Sequence, residues 1–587
     1  MKKIVTSFIL IVLFSRVPVY SQQAESDQYL KAFEKRAQRV IALSDSLAPK
    51  SYGWAACLYA LDKNYRQADT IITDLLKNPR GDMFWMLGIL SAYLHGEGKM
   101  SAETEHTVRR AWKTYAPYRG DTENHWCLYY SMLLLASQEW PGLPGSEWFN
   151  GKTSEENYSD AKGYLIHWMK ITTTIGQGEF DSPDYFPVYL CPMLLLSQFA
   201  KEPEMKTRGS MMADYLLADF AVDHLDGQYT GGLSRISQTP PYKPPGANAA
   251  PLAYLYFGGG EARVSDFALV AAISSYRLPE ILFQIATDRS MPYVQKEKKR
   301  VRNVIRYGSE MNPPVYRYTY MASDYALGSI QGGILQPIQQ RTWGVNFKSG
   351  KPFTTIFGLH PNWSARELGM FFPEEVKYIV ADVTQSKTTY NNPDKWIGGS
   401  PFERTFQQKN SLIVLYDIPE DTITDHVDGF FPRTLEERLV DSSRWIFCKA
   451  GDTYIGWYPL QDYEWKPEDD CFRLRSHKLQ NGYVIEVRSK SEVASFKNFS
   501  QSLSKHIPLA VLQPGNVSVR YVNLDGNSME FTYPEKRVLD GKYVDLSQYK
   551  LFEGPYLNAD VGSEKLTITY KNETRILDFK SLTITDR

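Results

Sequence analysis

The spacing of apolar residues changes part of the way along this chain of 587 residues. Up to about residue 290 they recur at intervals of three and four, the spacing of amphipathic helices. Beyond about Lys296 they alternate with polar residues, the spacing of strands with one buried face. The sequence therefore predicts a helical domain followed by an antiparallel β domain.

Eleven helices are predicted in the first part. They are Gln28–Ser46, Gly53–Asp62, Tyr65–Leu76, Met83–His95, Ala102–Tyr115, Asn124–Glu139, Asn157–Thr172, Pro187–Phe199, Lys206–His224, Ala262–Tyr276 and Pro279–Ala286. Gly, Pro and Asp separate them, as expected for tight joints. Because no repeat of fixed length accompanies them, a solenoid is disfavoured. We expect a closed α/α toroid, as an incomplete or six-hairpin barrel.

Ten strands are predicted in the second part. They are Tyr316–Tyr320, Arg341–Phe347, Lys377–Val383, Ser411–Tyr416, Ser443–Phe447, Thr453–Tyr458, Tyr483–Arg488, Val517–Val522, Met529–Tyr533 and Lys565–Tyr570. The pairs Gly451-Asp452, Asp525-Gly526 and Asp540-Gly541 are typical of hairpin turns. We expect an antiparallel β-sandwich over residues 296–587, a toroid over residues 22–295, and a charged connector at Lys296–Arg302.

The first residues have the pattern of a secretory signal peptide. Lys2 and Lys3 precede the apolar run Phe8–Phe14, and Ser21 offers a small residue for cleavage. The run is too short to span a bilayer, which disfavours the alternative of a membrane anchor. Residues 1–21 are therefore expected to be removed, leaving a periplasmic or secreted protein without a membrane span.

Composition excludes some functions and leaves others open. A net charge of −1 gives no electrostatic attraction for nucleic acid. The five cysteines form no CxxC pair, so a disulfide is possible but cannot be assigned. Cys127 and Cys191 lie in apolar helical runs and are expected to be small core residues. Aromatic residues make up 14% of the chain, which is compatible with glycan binding because sugars stack on rings.

Two polar clusters stand at the starts of apolar helices. Asn124 and His125 open one helix, and Tyr185 precedes another in an acidic, Pro-broken loop. In a ring of helices such positions surround the ligand pocket. The alternatives are that Asn124 caps its helix, that His125 is a core histidine, and that Tyr185 bonds a loop carbonyl.

The order of these parts resembles the toroid-type polysaccharide lyases of the heparinase II/III-like superfamily. The resemblance covers the domain order and rests at motif level on Asn124-His125 and the Tyr185 loop. Among these lyases, the chain resembles the family that cleaves rhamnose from glucuronic acid on plant arabinogalactan side chains. The resemblance implies β-elimination at a uronic acid in a glycan. No metal or other cofactor is required if protein donors neutralise the uronate carboxylate.

Such an elimination requires donors that neutralise the uronate carboxylate, a base at C5 and an acid at O4. Asn124 and His125 are the expected donors, and Tyr185 is the expected base and acid, with Tyr189 as its competitor. A phenol ionises near pH 10, so the base needs a cation. Arg235, beside two glycines, is the expected cation; a structural salt bridge is its alternative.

Further residues are expected to contact the substrate around this centre. They are Glu123, Asp181, Tyr189, His224, Tyr229, Tyr325 and Trp343. His224 ends a helix, a position that also suits a histidine electrostatically. Tyr325 and Trp343 belong to an aromatic and polar run at the start of the β half, which includes Gln339 and Gln340. That run either overhangs the toroid mouth or forms a buried strand interface.

Metal-binding and other catalytic motifs are poorly represented. There is no HExxH or clustered Cys/His pattern, and His360, near Asn362 and Trp363, has no evident second ligand. No catalytic metal is expected. Two other functions stay open: a toroid glycoside hydrolase using carboxylates such as Glu123, Glu179, Asp181 or Asp184, and a non-catalytic glycan-binding protein.

Overall fold

The computed structural model describes residues 19–79, 83–117, 119–120, 122–236, 243–301, 314–332, 340–362, 392 and 394–587. The predicted strand Lys377–Val383, the predicted signal segment up to residue 18, Gln339 and Trp363 lie outside these ranges. Within the described residues, no helix combines the length and the apolar character that a membrane crossing requires.

The first half is helical. Its helices are α1 (Val19–Leu47), α2 (Tyr52–Ala60), α3 (Tyr65–Leu75), α4 (Phe84–His95), α5 (Ala102–Thr114), α6 (Glu123–Glu139), α7 (Ser154–Ile175), α8 (Phe186–Phe199), α9 (Pro203–Asp223), α10 (Ala250–Phe257), α11 (Asp266–Ile273) and α12 (Glu280–Thr287). The predicted helices match these elements, except that α10 was not predicted.

Five of these helices close into a ring. Helix α2 packs on α4, α4 on α6, α6 on α8, α8 on α11, and α11 returns to α2. Helices α3, α5, α7 and α9 pack on members of this ring. The inner helices α2, α4, α8 and α11 are apolar on nearly every side, as helices surrounded by other helices must be. The predicted α/α toroid is confirmed.

The second half is built of antiparallel sheets. The largest runs in the order β14 (Glu464–Pro467), β15 (Cys471–Ser476), β10 (Val427–Pro432), β7 (Thr355–Leu359), β6 (Trp343–Phe347), β5 (Tyr325–Gln331), β4 (Pro314–Met321), β3 (Tyr293–Arg300), β22 (Phe552–Glu553), β23 (Leu557–Ala559), β24 (Lys565–Tyr570), β25 (Glu573–Asp578) and β26 (Thr583–Asp586).

Two further sheets complete this domain. The first runs β11 (Glu437–Val440), β12 (Ile446–Ala450), β13 (Thr453–Pro459), β16 (Gln480–Ser489), β9 (Ser411–Asp417) and β8 (Glu403–Gln408). The second runs β17 (Leu509–Gln513), β18 (Asn516–Val522), β19 (Ser528–Thr532), β20 (Lys536–Leu539) and β21 (Lys542–Tyr543). The strands β1 (His224–Leu225) and β2 (Gln228–Tyr229) form a hairpin in the helical half, and helix α13 spans Phe496–Leu503.

Buried apolar residues join the layers of the β domain. One cluster contains residues of the large sheet, such as Trp343, together with residues of the six-stranded sheet, such as Trp457. A second cluster joins the six-stranded sheet to the five-stranded sheet and to α13. The predicted antiparallel sandwich is therefore confirmed, and the three predicted hairpin turns connect neighbouring strands.

The expected connector at Lys296–Arg302 is wrong for the residues described. Residues up to Arg300 form β3, which pairs with β4. Glu297, Lys299 and Arg300 are buried. Lys299 and Arg300 meet carboxylates of the helical domain: Lys299 Nζ lies 2.6 Å from Asp219 Oδ2, and Arg300 pairs with Glu123. Glu297 meets Lys299 and Arg317 of the β domain itself. Charged residues therefore serve here as an interface between the two domains.

None of the five cysteines forms a disulfide bond. All five are free and buried. Cys127 and Cys191 have no exposed surface and occupy the toroid core, as predicted from their apolar surroundings.

Candidate functional site

A cavity of about 320 Å³ lies at one mouth of the ring. Tyr52, Phe84 and Asp266 are the first residues of α2, α4 and α11, and Tyr185 is the N-cap of α8. All four line the cavity, together with Trp85, Leu87, Gly88, Asp184, Val188, Asn248, Phe267 and Val270. Four helix N-termini therefore converge on one space, and their dipoles favour a negatively charged ligand there.

The start of α6 lies beside this cavity. Its N-cap is Thr122, whose Oγ1 accepts a hydrogen bond from His125 N at 3.4 Å. The half-buried imidazole of His125 meets the ring of Phe84 edge-on, with 5.6 Å between centroids. His125 is thus one aromatic contact away from the cavity, and α6 contributes a fifth helix start to the same mouth.

Gly120 makes room for His125. It has a φ of +75°, and a Cβ on it would collide with the imidazole. Its carbonyl accepts a hydrogen bond from Trp126 Nε1 at 3.0 Å. Glycine alone supplies both the left-handed backbone and the empty space that this imidazole position needs.

Asn124 is fully buried, and its donors are used within the protein. Its backbone N donates to Glu179 Oε2 at 3.0 Å, and its Nδ2 donates to Thr122 Oγ1 at 2.9 Å and also to Glu179. The capping side chain is Thr122 rather than Asn124. Asn124 therefore holds the loop that carries Glu179.

Glu179 connects several of the predicted site residues. Besides Asn124, its Oε2 accepts from Tyr189 OH at 3.1 Å, and its Oε1 accepts from Arg235 Nη1 at 2.8 Å. The carboxylate is buried, with a side chain only 1% exposed. This carboxylate therefore fixes the positions of Asn124, Tyr189 and Arg235 relative to one another.

Arg235 lies between Glu179 and Tyr185. Its guanidinium carbon is 4.0 Å from the centroid of the Tyr185 ring. Ser182 links the same two residues, because its Oγ donates to Arg235 O at 2.6 Å and accepts from Tyr185 N at 3.1 Å. The structure thus brings Tyr185 and Arg235 into direct contact at the cavity wall, and the salt bridge considered for Arg235 is present as well.

Glu123 and Tyr189 lie behind this wall. Glu123 accepts from Trp168 Nε1 at 2.9 Å, from Glu179 N at 2.8 Å and from Arg300. Burial raises the pKa of Glu123, although Arg300 opposes that effect. Tyr189 stacks on Trp168 at 5.8 Å, and burial raises the pKa of its phenol well above the usual range. A phenol in that setting is a poor base, so Tyr185 is the better candidate of the two.

Asp181, Tyr229 and His224 are buried away from the cavity lining. Tyr229 OH donates to Asp181 Oδ1 at 2.9 Å. The His224 ring bonds Ala286 O at 2.9 Å through Nδ1 and accepts from Gly227 N at 2.8 Å through Nε2. Burial lowers the pKa of His224 to about 3, so this imidazole is neutral. These three side chains bond to other groups of the protein and do not line the cavity, where contacts with substrate were predicted.

Tyr325 and Trp343 do not reach the site. Both are fully buried in the core of the β domain. Trp343 packs on Trp457, with 5.2 Å between centroids, and Tyr325 OH donates to Val487 O at 3.2 Å. The aromatic run therefore forms the buried strand interface, which was the alternative to an overhang.

Potential metal ligands occur at three places among the described residues. His360 uses both ring nitrogens on protein partners, Ser400 Oγ at 2.6 Å and Thr424 O at 3.0 Å. Two groups bring three or more ligand-type atoms together: Asp425, His426 and His477, and a buried set formed by Asp181, Asp219, Asp223 and Glu297. In the buried set, Lys299 and Arg317 already provide the positive charge that faces the carboxylates. No member of either set of possible ligands lines the cavity.

The sequence interpretation missed the other cavity-lining residues. Tyr52, Phe84, Asn248 and Asp266 were not singled out, yet three of them begin inner helices. Ser265 precedes Asp266 and caps α11 through Ala268 N, so helix-start signals applied to every apolar helix would have indicated this position.

Comparison with known proteins leaves the family open. No model of a known protein family matches the sequence, and the search of curated proteins found no significant match.

Proposed function

We propose that this protein is a polysaccharide lyase that cleaves a bond 4-linked to a uronic acid by β-elimination. The observation that carries the proposal is the contact of Arg235 with Tyr185 at the wall of the cavity, 4.0 Å from guanidinium carbon to ring centroid. A cation in this position stabilises the phenolate form that a tyrosine must adopt before it can act as a base.

In the proposed reaction, the phenolate oxygen of Tyr185 takes the C5 proton of the uronate. The electrons of the C5–H bond form the C4–C5 double bond, and the C4–O4 bond breaks. Because H5 and O4 of a glucuronate lie on one ring face, Tyr185 can return its proton to the departing O4. The products are an unsaturated uronate and a free hydroxyl, so atoms and charges balance.

Neutralisation of the uronate carboxylate is assigned to groups around the helix starts. Asn124 donates to Glu179 and is therefore assigned a positioning role. Half-buried His125 and the convergent N-termini of α2, α4, α8 and α11 supply donors and positive potential at the mouth. Arg235, whose Nη1 donates to Glu179, adds positive charge at the Tyr185 ring. Positive potential lowers the energy of the enolate-like transition state.

The particular substrate follows from the resemblance described above. A link from L-rhamnose to C4 of D-glucuronate in arabinogalactan is the best candidate. Phe84, Trp85 and Val188 line the cavity and provide apolar surface for the C–H face of a sugar. We further propose that the Lys2–Ser21 segment directs export, which N-terminal sequencing of periplasmic protein tests by the position of cleavage.

A second candidate is a glycoside hydrolase. Asp184 and Asp266 both line the cavity, and two carboxyl groups at one site are what hydrolysis requires. Burial raises the pKa of Asp266, as suits a general acid. Glu123, Glu179 and Asp181 do not line the cavity, so the hydrolase candidate now pairs Asp184 with Asp266, a residue that the sequence did not suggest.

One experiment separates these functions. Purified protein is incubated with a panel of uronate-containing glycans, and both ultraviolet absorbance and reducing ends are followed. A lyase produces the absorbance of the unsaturated uronate. Reducing ends without absorbance would establish the hydrolase, and saturable binding without either product would establish a glycan-binding protein.

A further inference from the structure

The loop that carries Glu179 and Tyr185 belongs to the helical domain but makes many of its contacts with the β domain. Residues 176–185, here called the active-site loop, connect α7 to α8. At its start, Arg300 of β3 donates from Nε to Gly176 O at 2.7 Å. Gly176 has a φ of +97°, and a Cβ on it would lie 2.6 Å from Lys298 O. The loop therefore begins in backbone contact with β3.

The centre of the active-site loop is fixed by an apolar anchor. Phe180 has no exposed surface and packs in a cluster with Val301, Val315 and Ile330. Val315 and Ile330 belong to β4 and β5, so the β domain supplies most of this cluster. Its neighbour Glu179 supports the cavity wall, while the Phe180 ring is held in the β domain.

Asp181, the next residue of the loop, is held by ion pairs. Asp181, with a left-handed φ of +47°, has Oδ2 at 2.7 Å from Arg317 Nη1 and Oδ1 at 3.8 Å from Lys299 Nζ. Both cations come from the β domain. Arg317 also contacts Asp223 of α9 at 2.8 Å, so the loop and helix share one cation. Ion pairs of this burial are sensitive to the loss of either partner.

A second line of contacts leads from β3 to the cavity wall. Arg300 Nη2 pairs with Glu123, and Glu123 Oε2 accepts from Glu179 N at 2.8 Å. Glu179 in turn holds Arg235, which stacks on Tyr185. Arg300, Glu123, Glu179 and Arg235 are all buried, so a displacement of β3 would be transmitted to Tyr185.

We infer that strands β3 and β4 hold the active-site loop in its catalytic conformation, which makes Arg300, Arg317, Phe180 and Asp181 positioning residues for the elimination. The inference rests on the proposed lyase function. The helical toroid carries the reacting groups, but its loop depends on the β domain for their placement. Misplacement of reacting groups by about 1 Å can reduce turnover about 100-fold.

The chain offers a closely matched pair of variants. Asp181→Asn removes the charge that meets Arg317 but leaves a side chain that can accept from Tyr229. Asp214→Asn is the control, because Asp214 is also buried, contacts Arg575 of β25 at 2.9 Å and accepts from Tyr276 OH at 2.6 Å. Both variants weaken a contact between the domains, but only Asp181 belongs to the active-site loop.

The full-length variants are compared by hydrogen exchange, thermal unfolding and steady-state kinetics. For Asp181→Asn we expect exchange within residues 176–185 to accelerate about tenfold, and kcat to fall at least about tenfold with little change in KM. For Asp214→Asn we expect a lower Tm, with loop exchange and kcat as in the wild type. A loss of Tm without these local effects in Asp181→Asn would overturn the inference.

A milder pair covers the case in which Asp181→Asn fails to fold. Phe180→Leu alters the apolar anchor, and its control is Phe579→Leu, since Phe579 is buried at the same domain boundary against Tyr215 of α9. Only Phe180→Leu should loosen the loop and lower kcat. If wild-type protein shows no elimination, the lyase proposal fails, whereas loop exchange in both pairs still decides whether the β domain holds the loop.

Discussion

The guanidinium of Arg235 lies 4.0 Å from the ring centroid of Tyr185, and its Nη1 donates to Glu179 at 2.8 Å. The arginine is therefore held on one side by a buried carboxylate and presents its positive charge to a half-buried phenol on the other. Tyr185 lines the cavity, whereas Glu179 does not. This arrangement separates Tyr185, the proposed base, from the groups that hold it.

Tyr185→Phe should remove most of the elimination activity. The phenol serves as both base and acid in the proposed reaction, and general acid–base catalysis contributes about 10²–10⁴-fold to rates. The fold and KM should be nearly unchanged, because the stacked ring remains. Initial rates from ultraviolet absorbance measure the loss.

Tyr189→Phe is the matched control for that variant. Tyr189 is buried and donates to Glu179 at 3.1 Å, so its loss should cost about 1 kcal/mol of stability and much less turnover. An inactive Tyr189→Phe beside an active Tyr185→Phe would transfer the role of base to Tyr189. Inactive Asp184→Asn and Asp266→Asn with an active Tyr185→Phe would favour the hydrolase.

Arg235→Met should both destabilise and inactivate the protein. It leaves the buried Glu179 carboxylate without its cation, a change that costs about 3–5 kcal/mol in comparable pairs. The double variant Arg235→Met with Glu179→Gln should recover much of the free energy of unfolding, measured by urea, because no charge is stranded. It should not recover turnover, since Tyr185 still lacks its cation.

Arg235→Lys provides the control for charge alone. Lysine keeps the positive charge but loses the planar group that stacks on the Tyr185 ring and meets the carboxylate. We expect intermediate kcat and stability. Full activity in Arg235→Met would contradict the role proposed for this cation.

Local patterns were enough to predict the fold. The inner helices α2, α4 and α8 are apolar on nearly every side, and their sequence runs are correspondingly strong. Helix α10 was missed because its eight residues follow a segment rich in Pro, Gly and Ala. In the β half, alternation identified strands such as β18 and β24, in which buried and more exposed residues alternate. It missed β5 and β10, which are buried on both faces and therefore show no alternation.

The site could be predicted only where its signals are local. Thr122 and the adjacent Asn124 and His125 mark a helix start in the sequence itself. The partner of Glu123, in contrast, is Arg300, which is 177 residues away. Charges on β3 suggested a solvated connector because nothing in the sequence shows that the helical domain supplies buried opposite charges.

Gly120→Ala should impair activity by displacing His125. Alanine is strained at a φ of +75°, and its Cβ would collide with the imidazole. A cost of about 1–2 kcal/mol is expected for the left-handed backbone alone. Gly142→Ala is the matched control, with a φ of +72° and no atom within 4 Å of the added Cβ. Gly142→Ala should lose only the backbone contribution to the free energy of unfolding. Gly120→Ala should lose more, because of the collision, and should alone show a reduced kcat/KM.

The buried His224 should make folding stability depend on pH. Its folded pKa, about 3 because of burial, lies below the ordinary value of about 6.5. Above pH 6.5 both folded and unfolded forms are neutral, so this group adds no pH dependence. As the pH falls below 6.5, the unfolded chain binds a proton that the folded chain does not, and the free energy of unfolding decreases. At pH 5 the loss from this histidine should be about 2 kcal/mol.

His224→Gln tests this dependence, because glutamine offers one donor and one acceptor for Ala286 O and Gly227 N. Urea unfolding at pH 8 and pH 5 should show a smaller loss in the variant than in the wild type, by about 2 kcal/mol. The comparison between variants is essential, since burial raises the pKa of Glu403 to about 7 and gives that carboxyl the opposite pH response. His360→Gln should reduce the loss in the same direction, because burial lowers the pKa of His360 to about 4. An unchanged difference between the two pH values would show that His224 is protonated in the folded protein, and a raised KM in His224→Gln would restore its predicted contact with substrate.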